Sequence, residues 1–239
     1  MAGIDWATDD GPGGWRIWGG RPWSVRLDDP TPGLSPLASS PPVRLLAILG
    51  ASVAGEPDAG IVPVEVVVHE VAQGDVVASY RVVVGGEVAI RAAWSAAPGV
   101  DGVDLEIEVG TRTVGLVRRL NLVLGSQWPA SSRVESLPVP GPEAAGSVLL
   151  PPAARSRITR AAFPDVPGWS YVEMASPFGL LDGPVDSQAA GTRYRYFGND
   201  LERGVILRAR IRGVWVPGVA SAELAMRLWE QFADSPLLP

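Results

Sequence analysis

From Val43 to Ser126 the chain is a succession of β-branched apolar runs: VRLLAIL, VPVEVVVHEV, DVVASYRVVV, EVAIRAAW, VDLEIEV and LVRRLNLVL, separated by Gly, Pro, Asp and Ala. Branched side chains lose rotamer freedom against a helical turn but pack well on a pleated surface. The segment therefore predicts strand after strand joined by regular turns, an antiparallel meander. Two runs carry a clean two-residue alternation. Val88, Ile90, Ala92 and Trp94 share one face, and Val103, Leu105, Ile107 and Val109 lie opposite Asp104, Glu106 and Glu108. Such alternation puts one face of the sheet in a core and the other in water.

Strands resume at GWSYVEMAS, TRYRYF and ERGVILRARIRGVWV, after a Pro/Gly/Ser-rich stretch from Gln127 to Pro152 whose length makes it a candidate functional loop. The chain closes with a helix expected to begin near Ser221 and end before Pro236. Leu224, Ala225, Leu228, Trp229 and Phe232 recur on its single apolar face. Ahead of the strands, residues 1–42 are rich in Trp, Gly and Pro. WRIWGGRPWSVRL reads as a hairpin around Gly19 and Gly20, and DDPTPGLSPLASSPP reads as an exposed connection. The expected architecture is all-β: two packed antiparallel sheets, a β-sandwich or supersandwich, with a C-terminal amphipathic helix. Residues 1–42 form an irregular N-terminal segment packing on a single domain spanning 43–239.

Composition narrows the chemistry. Among 239 residues there is no cysteine, no lysine and one histidine, His69. This removes Schiff-base chemistry, the phosphate-binding Walker loop, thiol nucleophiles and thiolate metal sites. No metal or cofactor site is expected. Twenty arginines against 26 acids leave a net charge of −6, which argues against nucleic acid and anionic membranes as partners. The opening MAGIDWATDD leads into no basic-then-apolar leader, so a cytoplasmic location is the default. Leu45 to Gly55, the longest apolar stretch, is about half the ~20 residues that a spanning helix needs.

The sharpest polar pattern is a pair of arginine stripes. Arg193 and Arg195 alternate with Tyr194 and Tyr196. After an expected turn at Gly198, Asn199 and Asp200, Arg208, Arg210 and Arg212 alternate with Leu207, Ala209 and Ile211. In a hairpin, five guanidiniums would line one face, either as an ion-pair ladder with Asp104, Glu106 and Glu108 or as a site for an acidic ligand. Trp128 and Trp169, near loops or strand edges, are candidates for stacking on a sugar. His69, with a carboxylate such as Glu173, is the available acid–base pair, although His69 and Glu70 point to opposite faces of a strand and HEVAQ lacks the second histidine of a zinc helix. GASVAG (Gly50–Gly55) departs from a serine nucleophile elbow at Ala54, and strand-like residues follow it where a helix is required.

Three segments, DGVDLEIEVGTRTVGLV (Asp101 to Val117), SYVEMASPFG (Ser170 to Gly179) and YFGNDLERGVILRARIRG (Tyr196 to Gly213), resemble stretches of a family of uncharacterised bacterial β-rich proteins. That resemblance implies a shared fold. The run of long antiparallel strands with a late Glu/Arg-rich strand is also similar in style to galactose-mutarotase-like supersandwich domains. Those enzymes use a histidine acid and a glutamate base. Their usual histidine signature is absent here, and His69 and Glu173 are the nearest residue types. The leading expectation is a non-catalytic carbohydrate-associated module in which indoles stack on sugar and arginines hold carboxylates. The alternatives are a sugar epimerase or lyase using His69 with a carboxylate, and a structural or assembly protein.

Overall fold

The computed structural model describes residues 5–8, 14–18, 22–27, 29, 31, 33–36, 43–53, 65–72, 75–83, 86–139, 156–164, 167–183 and 190–235. Among these residues sixteen strands form two eight-stranded sheets in which every neighbouring pair is antiparallel. The first sheet runs β1 (Asp5–Thr8), β2 (Gly14–Trp18), β3 (Pro22–Arg26), β4 (Leu34–Pro36), β5 (Arg44–Ser52), β10 (Leu116–Gln127), β15 (Gly191–Glu202), β14 (Leu180–Asp182). The second runs β11 (Arg133–Pro138), β12 (Ser156–Ala162), β13 (Trp169–Ala175), β16 (Leu207–Pro217), β9 (Gly102–Thr111), β8 (Glu87–Ala96), β7 (Asp75–Val83), β6 (Glu65–Ala72). The expected meander is β6 to β9; β5 and β10 pair with each other in the opposite sheet.

Alternation decides which side chains meet between the sheets. Val88, Ile90, Ala92 and Trp94, with Leu105, Ile107 and Val109, are buried against Leu122, Leu124, Tyr194 and Tyr196 of the first sheet. Burial of such side chains stabilises by about 1.5–3 kcal/mol each relative to exposure. Outward neighbours Glu106 and Glu108 keep partial solvent contact, whereas Asp104, expected to be wet, is buried beside Arg212.

The helix α1 (Ala222–Asp234) forms where its periodicity places it. Ser221 caps it by accepting the Leu224 N–H at 3.2 Å, an interaction worth about 1 kcal/mol. Its buried Ala225, Leu228 and Phe232 cover Ile158, Val172, Met174, Val214 and Val216 on the outer face of the second sheet. No helix among the described residues is long and apolar enough to cross a bilayer.

Two expectations change form. In residues 1–42 the hairpin around Gly19 and Gly20 is present as β2 and β3, and with β1 and β4 it extends the edge of the first sheet. The turn expected at Gly198–Asp200 is a bulge inside β15. Phe197 and Gly198 take φ of 79° and 65°, and pairing with β10 resumes at Leu120↔Asn199. The real crossing, Arg203 to Ile206, carries the chain to the other sheet. Hence β15 and β16 are not a hairpin.

Candidate functional site

Because β15 and β16 belong to different sheets, the five arginines fall on two surfaces. Inward Tyr194 and Tyr196 leave Arg193 and Arg195 on the outside of the first sheet, where Arg195 lies 3.5 Å from Asp182. Arg208, Arg210 and Arg212 stand on the outside of the second, in register with Glu108, Glu106 and Asp104. All three pairs are joined. Arg212 grips Asp104 through Nε and Nη2 at 2.5 and 2.7 Å, Arg210 lies 3.6 Å from Glu106, and Arg208 lies 2.9 Å from Glu108.

The helix end makes this ladder uneven. Arg210 donates to the Phe232 and Ser235 carbonyls at 2.7 and 3.0 Å, serving the orphan acceptors at the α1 C-terminus. Both Arg210 and Arg212 lie over the Phe232 ring, at 4.4 and 4.9 Å. Burial pulls the Arg210 pKa down, and Asp104 and Glu106 oppose that. Arg208 stands beyond the helix end with its side chain 40% exposed. Arg91 of β8, in register with Glu108 from the other side, is 45% exposed and 3.7 Å from the same carboxylate. Ser79 of β7 continues the row. Ser79, Arg91, Glu108 and Arg208 thus form an open polar strip on a rigid sheet.

Glu173 occupies a different environment. Its face of β13, shared with Tyr171 and Ala175, points between the sheets, and its exposure is 0%. Tyr171 donates to its Oε2 at 2.8 Å, Ser126 of β10 donates to the same oxygen, and Thr192 of β15 donates to Oε1. The hydroxyls are themselves held. Ser126 Oγ accepts the Leu46 N–H at 3.0 Å, and Thr192 Oγ1 accepts the Ser126 N–H at 3.0 Å. Burial raises the Glu173 pKa above its ordinary value, with the hydroxyl donors opposing, and burial next to Glu173 pushes Tyr171 and Tyr194 well up. The network pins one sheet to the other. A carboxyl with no exposed surface touches no substrate.

Nor does the fold join Glu173 to His69. β6 and β13 share a sheet, but β7, β8, β9 and β16 lie between them. At ~4.8 Å per strand this separates their backbones by about 24 Å, too far for a shared proton. The side chain of His69 lies outside the described residues. Trp128, read as a stacking platform, is 3% exposed and packs against Phe163 and Tyr171 at ring distances of 6.0 and 6.4 Å, so neither indole face is open to a sugar. Trp169, at the start of β13, is half-buried against the same core. Among the described residues no group of three or more His, Asp or Glu is placed to hold a metal ion.

Sequence reasoning missed Arg91 and the hydroxyl partners of Glu173. EVAIRAAW does mark Arg91 as outward, opposite Val88 and Ile90, but its neighbour across the strand is decided by register. Nothing local ties Ser126 or Thr192 to a glutamate 47 or 19 residues away.

The sequence matches no protein-family model and no curated protein. Its fold is similar to solved structures of the galactose-mutarotase type. One is a candidate aldose 1-epimerase from Escherichia coli K12, at 10% identity and TM-score 0.46, covering 90% of this chain and 99% of that one. A candidate mutarotase (YeaD) from Salmonella typhimurium gives 9% and 0.48, covering 90% and 97%. A galactose mutarotase related enzyme from Lactobacillus acidophilus gives 9% and 0.42, covering 90% and 99%.

Proposed function

We propose that this protein is a non-catalytic, carbohydrate-associated sandwich module that holds an acidic sugar on the open half of its second sheet. One observation carries the reading: Arg91 and Arg208 share the single carboxylate of Glu108 while both remain close to half exposed. Each guanidinium has five N–H donors in a planar fork suited to carboxylates. One shared contact acceptor, with Asp75 attracting Arg91 from farther off, leaves donors of both groups open to a ligand. Ser79 and Glu108 add groups able to hydrogen-bond sugar hydroxyls. The strands fix the spacing, so little side-chain order is lost on binding beyond the two arginines.

Arg210 and Arg212 are not part of this surface, because both are buried against Asp104, Glu106 and the helix end. An epimerase or lyase built on His69 and Glu173 has no support in the strand order. The test is calorimetric titration with trigalacturonate and with a neutral trisaccharide at low salt. Binding of the acidic sugar alone, lost in Arg208→Ala and weakened in Arg91→Ala, is the expected result. Flat curves for both sugars, or equal binding by Arg208→Ala, would overturn the reading.

A further inference from the structure

The described residues expose seven large apolar side chains, and five of them stand at one end of the sandwich: Val114 and Leu116 after β9, Phe178 after β13, Val205 and Ile206 before β16. The register makes these loops neighbours. Leu116 lies opposite Glu202, Val109 lies opposite Leu207, and Ser176 donates its N–H to the Arg210 carbonyl. Val114 is 87% exposed, Phe178 65% and Ile206 61%, so these three side chains stand out from the surface, with Leu116 and Val205 partly exposed beside them. Arg112, Arg118, Arg119 and Arg203 are exposed on the same loops and strand ends. Among the described residues none of these four guanidiniums has an ion-pair or hydrogen-bond partner. The exposed acids beside them among the described residues are Asp200, Glu202 and Glu87; Asp200 accepts the Arg119 backbone N–H, and Glu87, whose N–H donates to Thr113, lies 3.3 Å from Arg81. With the Arg81–Glu87 pair self-neutralising, the described residues of this end leave four cations against two anions, a positive balance on a molecule whose net charge is −6.

We infer that this end docks on an anionic phospholipid surface, with Val114, Leu116, Phe178, Val205 and Ile206 entering the interface and the four arginines meeting lipid phosphates. Net charge argues against such a partner only at long range. At physiological ionic strength charges beyond about 8 Å are screened, so the local pattern decides. Protruding apolar tips suit a fluid plane that deforms around them, and an acidic protein would need matching hollows. A symmetric contact with a second copy would set these arginines against one another. The surface is separate from the strip proposed for acidic sugar, whose arginines stand on the outer sheet face.

Co-sedimentation of the full chain with phosphatidylcholine vesicles, alone and mixed with phosphatidylserine at about 3:1, tests the inference. The expected result is retention on the mixed vesicles only. Each arginine near an anionic surface strengthens partition about fivefold, so the Arg112→Ala, Arg118→Ala, Arg203→Ala triple variant should bind about a hundredfold more weakly. The Val114→Asp, Ile206→Asp variant should also lose retention. All five positions are exposed, and an unchanged circular dichroism spectrum confirms that the variants fold. No retention on either vesicle, equal retention on neutral lipid, or retention unaffected by both variants overturns the inference. So does binding to polyglutamate without binding to vesicles, which would point to an acidic protein partner.

Discussion

Two groups of arginines in this molecule experience opposite surroundings. On β16, Arg208, Arg210 and Arg212 each face an acid across the ladder to β9. At the sandwich end, Arg112 and Arg203 on the connections and Arg118 and Arg119 in the irregular start of β10 have guanidiniums without an ion-pair partner among the described residues. The difference is geometric. In a sheet, the two-residue period brings a partner of matching spacing to every second position of the neighbouring strand. A connection between sheets, or a strand end whose register slips as β10 does between Val117 and Leu120, has no such pairing, and its charges stay available. Within the ladder itself the helix sets availability: Arg210 and Arg212 lie buried at the Phe232 end of α1, and Arg208, beyond it, is open.

The largest expected effect belongs to the closed pair. Arg212→Met leaves Asp104 buried without its partner and should cost about 3–5 kcal/mol in urea unfolding, with Asp104→Leu, Arg212→Met together recovering most of it. A single-variant cost under about 1 kcal/mol, the range of exposed pairs, would erase the distinction between closed and open arginines.

Glu173 sharpens the comparison as a buried charge met by hydroxyls. Burial holds its folded pKa above the ordinary 4.5, so the folded state binds this proton more tightly than the unfolded state does. Its stabilising share is complete below pH 4.5 and is lost as pH rises through the folded pKa. Melting temperature across that interval should fall more steeply with pH in the parent than in Glu173→Gln; parallel profiles would contradict this. Next in size, Arg208→Ala should change stability by only about 0.2–1 kcal/mol while weakening acidic-sugar binding. Smallest of all, Arg112→Ala or Arg203→Ala should leave stability within about 0.5 kcal/mol. A larger loss in unfolding experiments would mean that these loop arginines are paired after all.

Much of the architecture was legible because alternation is a local signal. EVAIRAAW and VDLEIEV each declare their inner face, and the spacing of Leu224, Leu228 and Phe232 declares a helix. Matching sign and period also linked Arg208, Arg210 and Arg212 to Asp104, Glu106 and Glu108. Strand order was not legible. Gly198-Asn199-Asp200 has turn composition, but the continuing pairing with β10 absorbs it as a bulge. Taken as a turn, that tripeptide gathers five arginines onto one face. It also hides Arg91, whose place beside Glu108 depends on β8 and β16 flanking β9. Trp128 was misplaced for a related reason: a tryptophan next to a Pro-rich stretch reads as exposed until Phe163 and Tyr171, distant in sequence, close over it.

The central claim is that exposure beyond the helix end separates a ligand-ready arginine from a structural one. Side-chain Nε–H resonances of 15N-arginine-labelled protein, followed while trigalacturonate is added, test it directly. The account predicts shifts of the Arg91 and Arg208 signals, with Arg210 and Arg212 unmoved. Shifts confined to other arginines, or none at saturating sugar, would contradict it.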